Sequence, residues 1–196
     1  MSKLVYGEGK YSSGKYVSHT TIEGRHCKTK EYSHWTSMLG RCYSTKQTTG
    51  YIGCTVSENF KNFQYFAEWC NNQVGFGEKG YHLDKDILLK DNKVYSEDTC
   101  CFVPKRINYL VLNKRWNRGE YPMGVCYDKT AKRFKANITA NNKTINIGNY
   151  KTPIEAFLAY KEVKEAFIRE VAENYKALIS EQVYYSLINW EISVDD

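Results

Sequence analysis

One imidazole and two carboxylates stand close together in the stretch YHLDKDILL: His82, Asp84 and Asp86. An imidazole can act as general base on a water, and carboxylate oxygens can hold Mg²⁺. A spacing of two residues puts both members of a pair on one face of a strand. His82 with Asp84 is therefore the candidate catalytic pair, and Asp84 with Asp86 the candidate metal pair, for metal-assisted hydrolysis with Mg²⁺ as cofactor. The plainer alternative is a hairpin with surface charges, with Asp98 capping the next element.

A second constellation lies downstream in RFKANIT and TINIG. In the first run Phe134, Ala136 and Ile138 alternate with Arg133, Lys135, Asn137 and Thr139. In the second, Ile145 and Ile147 alternate with Thr144 and Asn146. Strict alternation is the mark of a strand with one buried and one exposed face. Arg and Lys suit phosphate or guanine, and Asn suits the adenine edge.

The elements that must position these groups follow from periodicity. ANNK between the two runs is a hairpin turn, and GVCYD before them is a third strand. Thr152, Pro153 and Glu155 form a helix start with a capping box. Ala156, Ala159, Tyr160, Val163, Phe167 and Val171 then recur at helical spacing and should cover the sheet's apolar side. The tail SEQVYYSLINWEISVDD is apolar enough to dock as a further short helix. Upstream, Trp35, Met38, Leu39 and Cys42 mark one helix over 31–43. After Ser57, the residues Phe60, Phe63, Phe66, Trp69 and Cys70 mark another apolar stripe, read as core. HLDKDILL, the turn KDNK, VYS and CCFV form a strand, turn and strand unit closed by Pro104. Residues 105–118 start as a short helix, with Trp116 near its end, and run into a basic linker. Gly119 and Pro122 mark a boundary. The expected class is α+β, with a first domain over 1–118 and a second over 119–196.

Charge is unevenly spread. Residues 114–151 hold nine Lys/Arg against two acids, whereas residues 152–196 hold four against nine. A basic block beside an acidic helix suggests a face for a polyanion. The seven Cys form no C-x-x-C pair, and the N-terminus MSKLVYGEGK has no apolar run. Those features point to reduced thiols in a cytoplasm and to no membrane partner. A zinc site from His26, Cys27, Cys42 and Cys54 lacks the usual ligand spacing.

The marks Gly124-Val125, Phe134, Ala136, Ile138, Ile147-Gly148, Tyr150, Thr152, Glu155-Ala156 and Ala159-Tyr160 resemble, in order and spacing, the AP2-type DNA-binding domain. That resemblance implies a three-stranded antiparallel sheet on one long helix, with the sheet in the DNA major groove. It carries DNA contacts to Arg133, Asn137, Thr139, Thr144, Asn146, Asn149 and Tyr160. Cys126 and Tyr127 depart from the family, standing where basic residues are usual.

Further marks precede it: Tyr32, Trp35, Met38-Leu39, Arg41-Cys42-Tyr43, Tyr51, Gly53-Cys54, Val56, then Leu83 to Ile87, Asn92 to Ser96 and Thr99-Cys100. This part resembles short bacteriophage proteins that join a degenerate HNH-type (ββα) nuclease unit to an AP2 domain. The family motif places its base near Lys85 or Asp86 and its Asn near Thr99. A Lys cannot replace the His at neutral pH without a large pKa shift. The resemblance implies a phage-encoded protein acting on double-stranded DNA in the cytoplasm of a bacterial host. The alternatives are an HNH or homing-type endonuclease or nickase using Mg²⁺, and an inhibitor that binds a host protein.

Overall fold

A computed structural model describes residues 4–112, 119–140 and 143–196. The fold is α+β. The chain divides into two compact units, Met1–Tyr109 with Ala177–Val183, and Leu110–Lys176 with Tyr184–Asp196.

The first unit begins with an antiparallel hairpin of β1 (His19–Ile22) and β2 (Arg25–Lys28). Helix α1 (Lys30–Tyr43) follows, capped by the Thr29 hydroxyl, which accepts from the Tyr32 N–H. Its apolar stripe is buried as the periodicity predicts: Trp35, Met38, Leu39 and Cys42. The aromatic run after Ser57 folds as two helices rather than one, α2 (Glu58–Lys61) and α3 (Phe63–Asn71). Asn62 makes the break, because its extended backbone and its side chain, which accepts from the Gln64 and Tyr65 N–H groups, cap α3. Phe60, Phe63, Phe66 and Cys70 are fully buried, and Trp69 packs against them. The Trp35 indole donates to the Phe60 carbonyl at 2.8 Å, so the polar edge of this core is satisfied.

Four short strands complete the unit's sheet structure. Strand β3 (Thr55–Val56) pairs in parallel with β5 (Val94–Tyr95), and β4 (Tyr81–Asp84) pairs antiparallel with β6 (Cys101–Pro104). Helix α4 (Lys105–Val111) follows at once. Trp116 and the basic linker fall on residues 113–118 and lie outside the described residues.

The second unit holds an antiparallel sheet in the order β7 (Val125–Asp128), β8 (Arg133–Ala140), β9 (Lys143–Tyr150). The expected ANNK turn falls on Asn141 and Asn142, outside the described residues; the ladder next to it closes with Ala140 opposite Lys143. Helix α5 (Pro153–Tyr175) starts at Thr152 with both halves of the capping box formed. The tail contains helix α6 (Glu181–Ile188). Beyond it, Lys161 donates to the Ile192 carbonyl at 2.8 Å and Glu165 accepts the Ile192 N–H at 2.8 Å, which fastens the C-terminal segment to α5.

The buried stripe of α5 is rotated from the expected one. Ala156, Phe157, Tyr160, Ile168, Val171 and Ala172 are buried, while Val163 is 37% exposed. The helix carries two overlapping apolar stripes, and Phe157, which the spacing argument passed over, supplies the larger side chain. Area removed from water decides such a choice, at about 25 cal/mol per Å².

Candidate nucleic-acid interface

The sheet of the second unit presents two chemically distinct faces. Towards α5 lie Phe134, Ala136 and Ile138, opposite Tyr150, Gly148 and Ile145. Ala136 and Ile138 are buried. Ile145 shares that face but is 52% exposed near the hairpin tip, so it does not join the core as alternation alone suggests.

The outer face depends on one irregularity. Ala136 stands opposite Gly148, but Asn137 stands opposite Asn146, so Ile147 is an extra residue in β9. Such a bulge inverts the facing of the residues beyond it. By simple alternation Asn149 would point with Ile145 towards the helix. The bulge instead aligns it with Lys135, while Asn146 meets Asn137 and Thr144 meets Thr139. Arg133, Thr139, Thr144, Asn146 and Asn149 are exposed; Lys135 and Asn137 are half-buried.

These side chains are tied across the strands. Asn146 Nδ2 donates to Asn137 Oδ1 at 3.2 Å, and Asn137 Nδ2 donates to Cys126 Sγ at 3.3 Å. The Thr139 and Thr144 hydroxyls are 3.3 Å apart. The centre of the face is therefore a row of amides and hydroxyls held at fixed spacing. Lys129, Lys132, Lys143 and Lys151 are exposed around it.

Two expected contact residues differ from their expected state. Tyr160 is only 6% exposed, and its ring lies against Gly124, so it belongs to the packing between α5 and the sheet rather than to the outer face. An aromatic ring of this size gains more from burial than from the surface. Lys135 is on the outer face, but its Nζ lies 2.5 Å from Asp128 Oδ2. The same aspartate accepts the Thr130 and Ala131 N–H groups through Oδ1, at 2.8 and 3.1 Å. These bonds, that from Lys135 first, lower the Asp128 carboxyl to about 2. The signal for Asp128 was present in the sequence as Asp followed by a short polar turn, DKTAK, where an aspartate closes the turn on its own backbone.

The hairpin with the candidate hydrolytic residues has a different character. Asp84 Oδ1 accepts the backbone N–H groups of Asp86 and Ile87 at 2.8 and 2.9 Å. The Asp86 carboxylate is 2.6 Å from the Lys85 ammonium, a cation standing where a metal ion would need the oxygen. One oxygen of Asp84 is thus taken by the turn and one of Asp86 by Lys85, an arrangement that lends no support to a Mg²⁺ cage. Among the described residues no group of three or more His, Cys, Asp or Glu is gathered to hold a metal. Cys42 and Cys54 are core residues, while His26 and Cys27 sit on the β1–β2 hairpin. His82 lies opposite Val103 and meets the edge of the Tyr109 ring at 6.5 Å. Burial, then Lys105 and Arg41, hold its pKa below the ordinary value, which favours the neutral imidazole. Thr99 closes a turn by donating to the Val94 carbonyl at 2.8 Å.

Burial also raises the Asp84 carboxyl above its ordinary value. The native state therefore keeps its proton in a window, opening near pH 3.8, where the unfolded chain has already lost it. Stability is lost as pH rises through that window. Asp84→Asn keeps an acceptor for both N–H groups and removes the buried charge, so it should match or exceed wild type in urea unfolding at pH 7. Asp84→Ala leaves the two donors unanswered and should cost about 1 kcal/mol. Equal losses in the two variants would contradict the turn role.

Comparison with protein-family models, with curated proteins and with solved structures found no match to the chain.

Proposed function

We propose that the second unit binds double-stranded DNA through the outer face of β7–β9. The observation that carries this reading is the bulge at Ile147. It spends one residue to bring Asn149 into line with Thr144 and Asn146, and sets all three opposite polar residues of β8. The alignment gathers the polar side chains of both strands on one face. The face is polar, exposed and rimmed by lysines, and the opposite face is closed by α5. The B-DNA major groove, about 12 Å wide, admits a β-ribbon, and Asn side chains match the adenine N6/N7 edge. The reading agrees with an AP2-like use of the sheet. The geometry of His82, Asp84 and Asp86 gives no support to a hydrolytic role.

A salt titration of duplex binding by fluorescence anisotropy tests this. Affinity should fall steeply with NaCl, with a log–log slope of about −3 to −4 for roughly four phosphate contacts. Arg133→Gln should lower affinity about tenfold and flatten the slope by about 0.9. Asn137→Ala should act on discrimination between sequences, by about 1–3 kcal/mol, more than on random duplex. A salt-independent signal, or an Arg133→Gln protein that binds as wild type, would remove the proposal.

A further inference from the structure

We propose that Asp128 restrains the affinity of this face for DNA by holding Lys135 away from the phosphate backbone. The inference rests on the nucleic-acid reading of the sheet and adds a residue that sets its selectivity.

The geometry divides the Asp128 carboxylate between two tasks. Oδ1 accepts the Thr130 and Ala131 N–H groups and so shapes the β7–β8 turn. Oδ2 holds the Lys135 ammonium at 2.5 Å. Lys135 sits between Arg133 and Asn137 on β8, opposite Cys126 on one side and Asn149 on the other. It is the cation placed at the middle of the face, whereas Lys129, Lys132, Lys143 and Lys151 lie in its turns and edges. With the pair closed, the middle offers amides and hydroxyls but no free positive charge. Backbone attraction is then left to Arg133 and the rim, and the weight of recognition shifts to groups that read base edges. A phosphate can recruit Lys135 only by displacing the carboxylate, which also repels it.

Because the two oxygens have separate roles, the carboxylate can be altered without losing the turn. In Asp128→Asn the amide oxygen can still accept the two N–H groups, while the NH₂ group faces Lys135 and cannot hold it. Binding of a fluorescein-labelled random-sequence duplex is measured over a range of NaCl. Asp128→Asn should bind about fivefold more tightly near 0.1 M salt, with a slope steeper by about 0.9, the signature of one more phosphate contact. The gain should depend on Lys135, so Lys135→Gln should cost more in the Asp128→Asn background than in wild type. Asp128→Ser, which keeps a shorter turn acceptor and no charge, repeats the test should the Asn variant misfold. Equal slopes in wild type and both variants, or a loss of affinity in both, overturn the restraint while leaving the binding face intact. A loss confined to cytosine-containing duplexes would make Asp128 a reader of the base edge, and also overturns it. Absence of binding by all the proteins removes the face and the restraint together.

Discussion

Gly124→Ala should destabilise the second unit by about 3 kcal/mol, with loss of amide-exchange protection across β7, β8 and β9. Two independent costs act at this position. Its φ of +76° lies in the left-handed region, where a side chain costs roughly 1–2 kcal/mol. A Cβ there would also fall on Cγ, Cδ2 and Cε2 of Tyr160, whose ring is held between helix and sheet. Overpacking of that kind adds about 1–3 kcal/mol, because the ring cannot leave without opening the core. The Gly124 carbonyl also accepts the Asn137 N–H at 2.8 Å, so displacement of the backbone would reach the centre of the outer face. If the outer face binds DNA as proposed, affinity should fall with stability, although Gly124 itself offers no side chain to that face. Chemical denaturation checks the first claim. A loss below about 1 kcal/mol would mean that the chain relaxes around the ring and that the packing is less tight than described.

The pairing of Gly124 with Tyr160 shows where sequence reasoning stops. Both residues belong to the pattern that resembles the AP2 domain; alternation and the run Thr152, Pro153, Glu155 had already given the three strands, the helix start and the capping box that the structure shows. The resemblance led to Tyr160 as a DNA contact, because one-dimensional spacing does not say whether an aromatic ring is a tool or a filler. The same limit appears in β9. Alternation was legible for Thr144 and Asn146, but the facing of Asn149 was set by a bulge, which depends on the partner strand rather than on the local sequence. Lys135 was legible as an outward cation; its capture by Asp128 required knowing that strand β7 places an acid diagonally across from it. In the first unit the buried stripe of α1 followed directly from spacing, since a helix face is a local property. The break at Asn62 did not, because an apolar run with a helical period continues through it and only the cap reveals the stop.

Lys85 is the plainest case of a residue whose type misleads, and replacing it should have the second large effect. A lysine in the run LDKDIL reads as a solvated charge on a hairpin, or as a residue near the position of a catalytic base. The structure buries it to 4% exposure. Its Nζ donates to the Asn92 carbonyl at 2.5 Å and to Asp86 Oδ1 at 2.6 Å, and lies 5.9 Å from the centre of the Tyr95 ring. Asn92 returns the contact, donating to the Lys85 carbonyl at 2.9 Å and accepting the Val94 N–H at 3.0 Å. Lys85 and Asn92 thus clamp the two ends of the loop that leads from β4 to β5, with Asp91 in the left-handed region beside them. Lys85→Met keeps the length and the apolar stem but removes every donor. The buried Asn92 carbonyl would lose its charged partner, and a bond of that kind is worth about 1.5–3 kcal/mol. Asp86 adds less, because its side chain is 45% exposed and water can answer it. The expected loss is about 2–3 kcal/mol by urea unfolding, with exchange protection falling first at Val94 and Tyr95. Asp86→Asn should cost well under 1 kcal/mol, since the carbonyl of Asn92 remains engaged. If the Asp86 change proved the larger, the ion pair rather than the carbonyl contact would be what fixes the loop, and the structural assignment of Lys85 would have to be rebuilt around its charge.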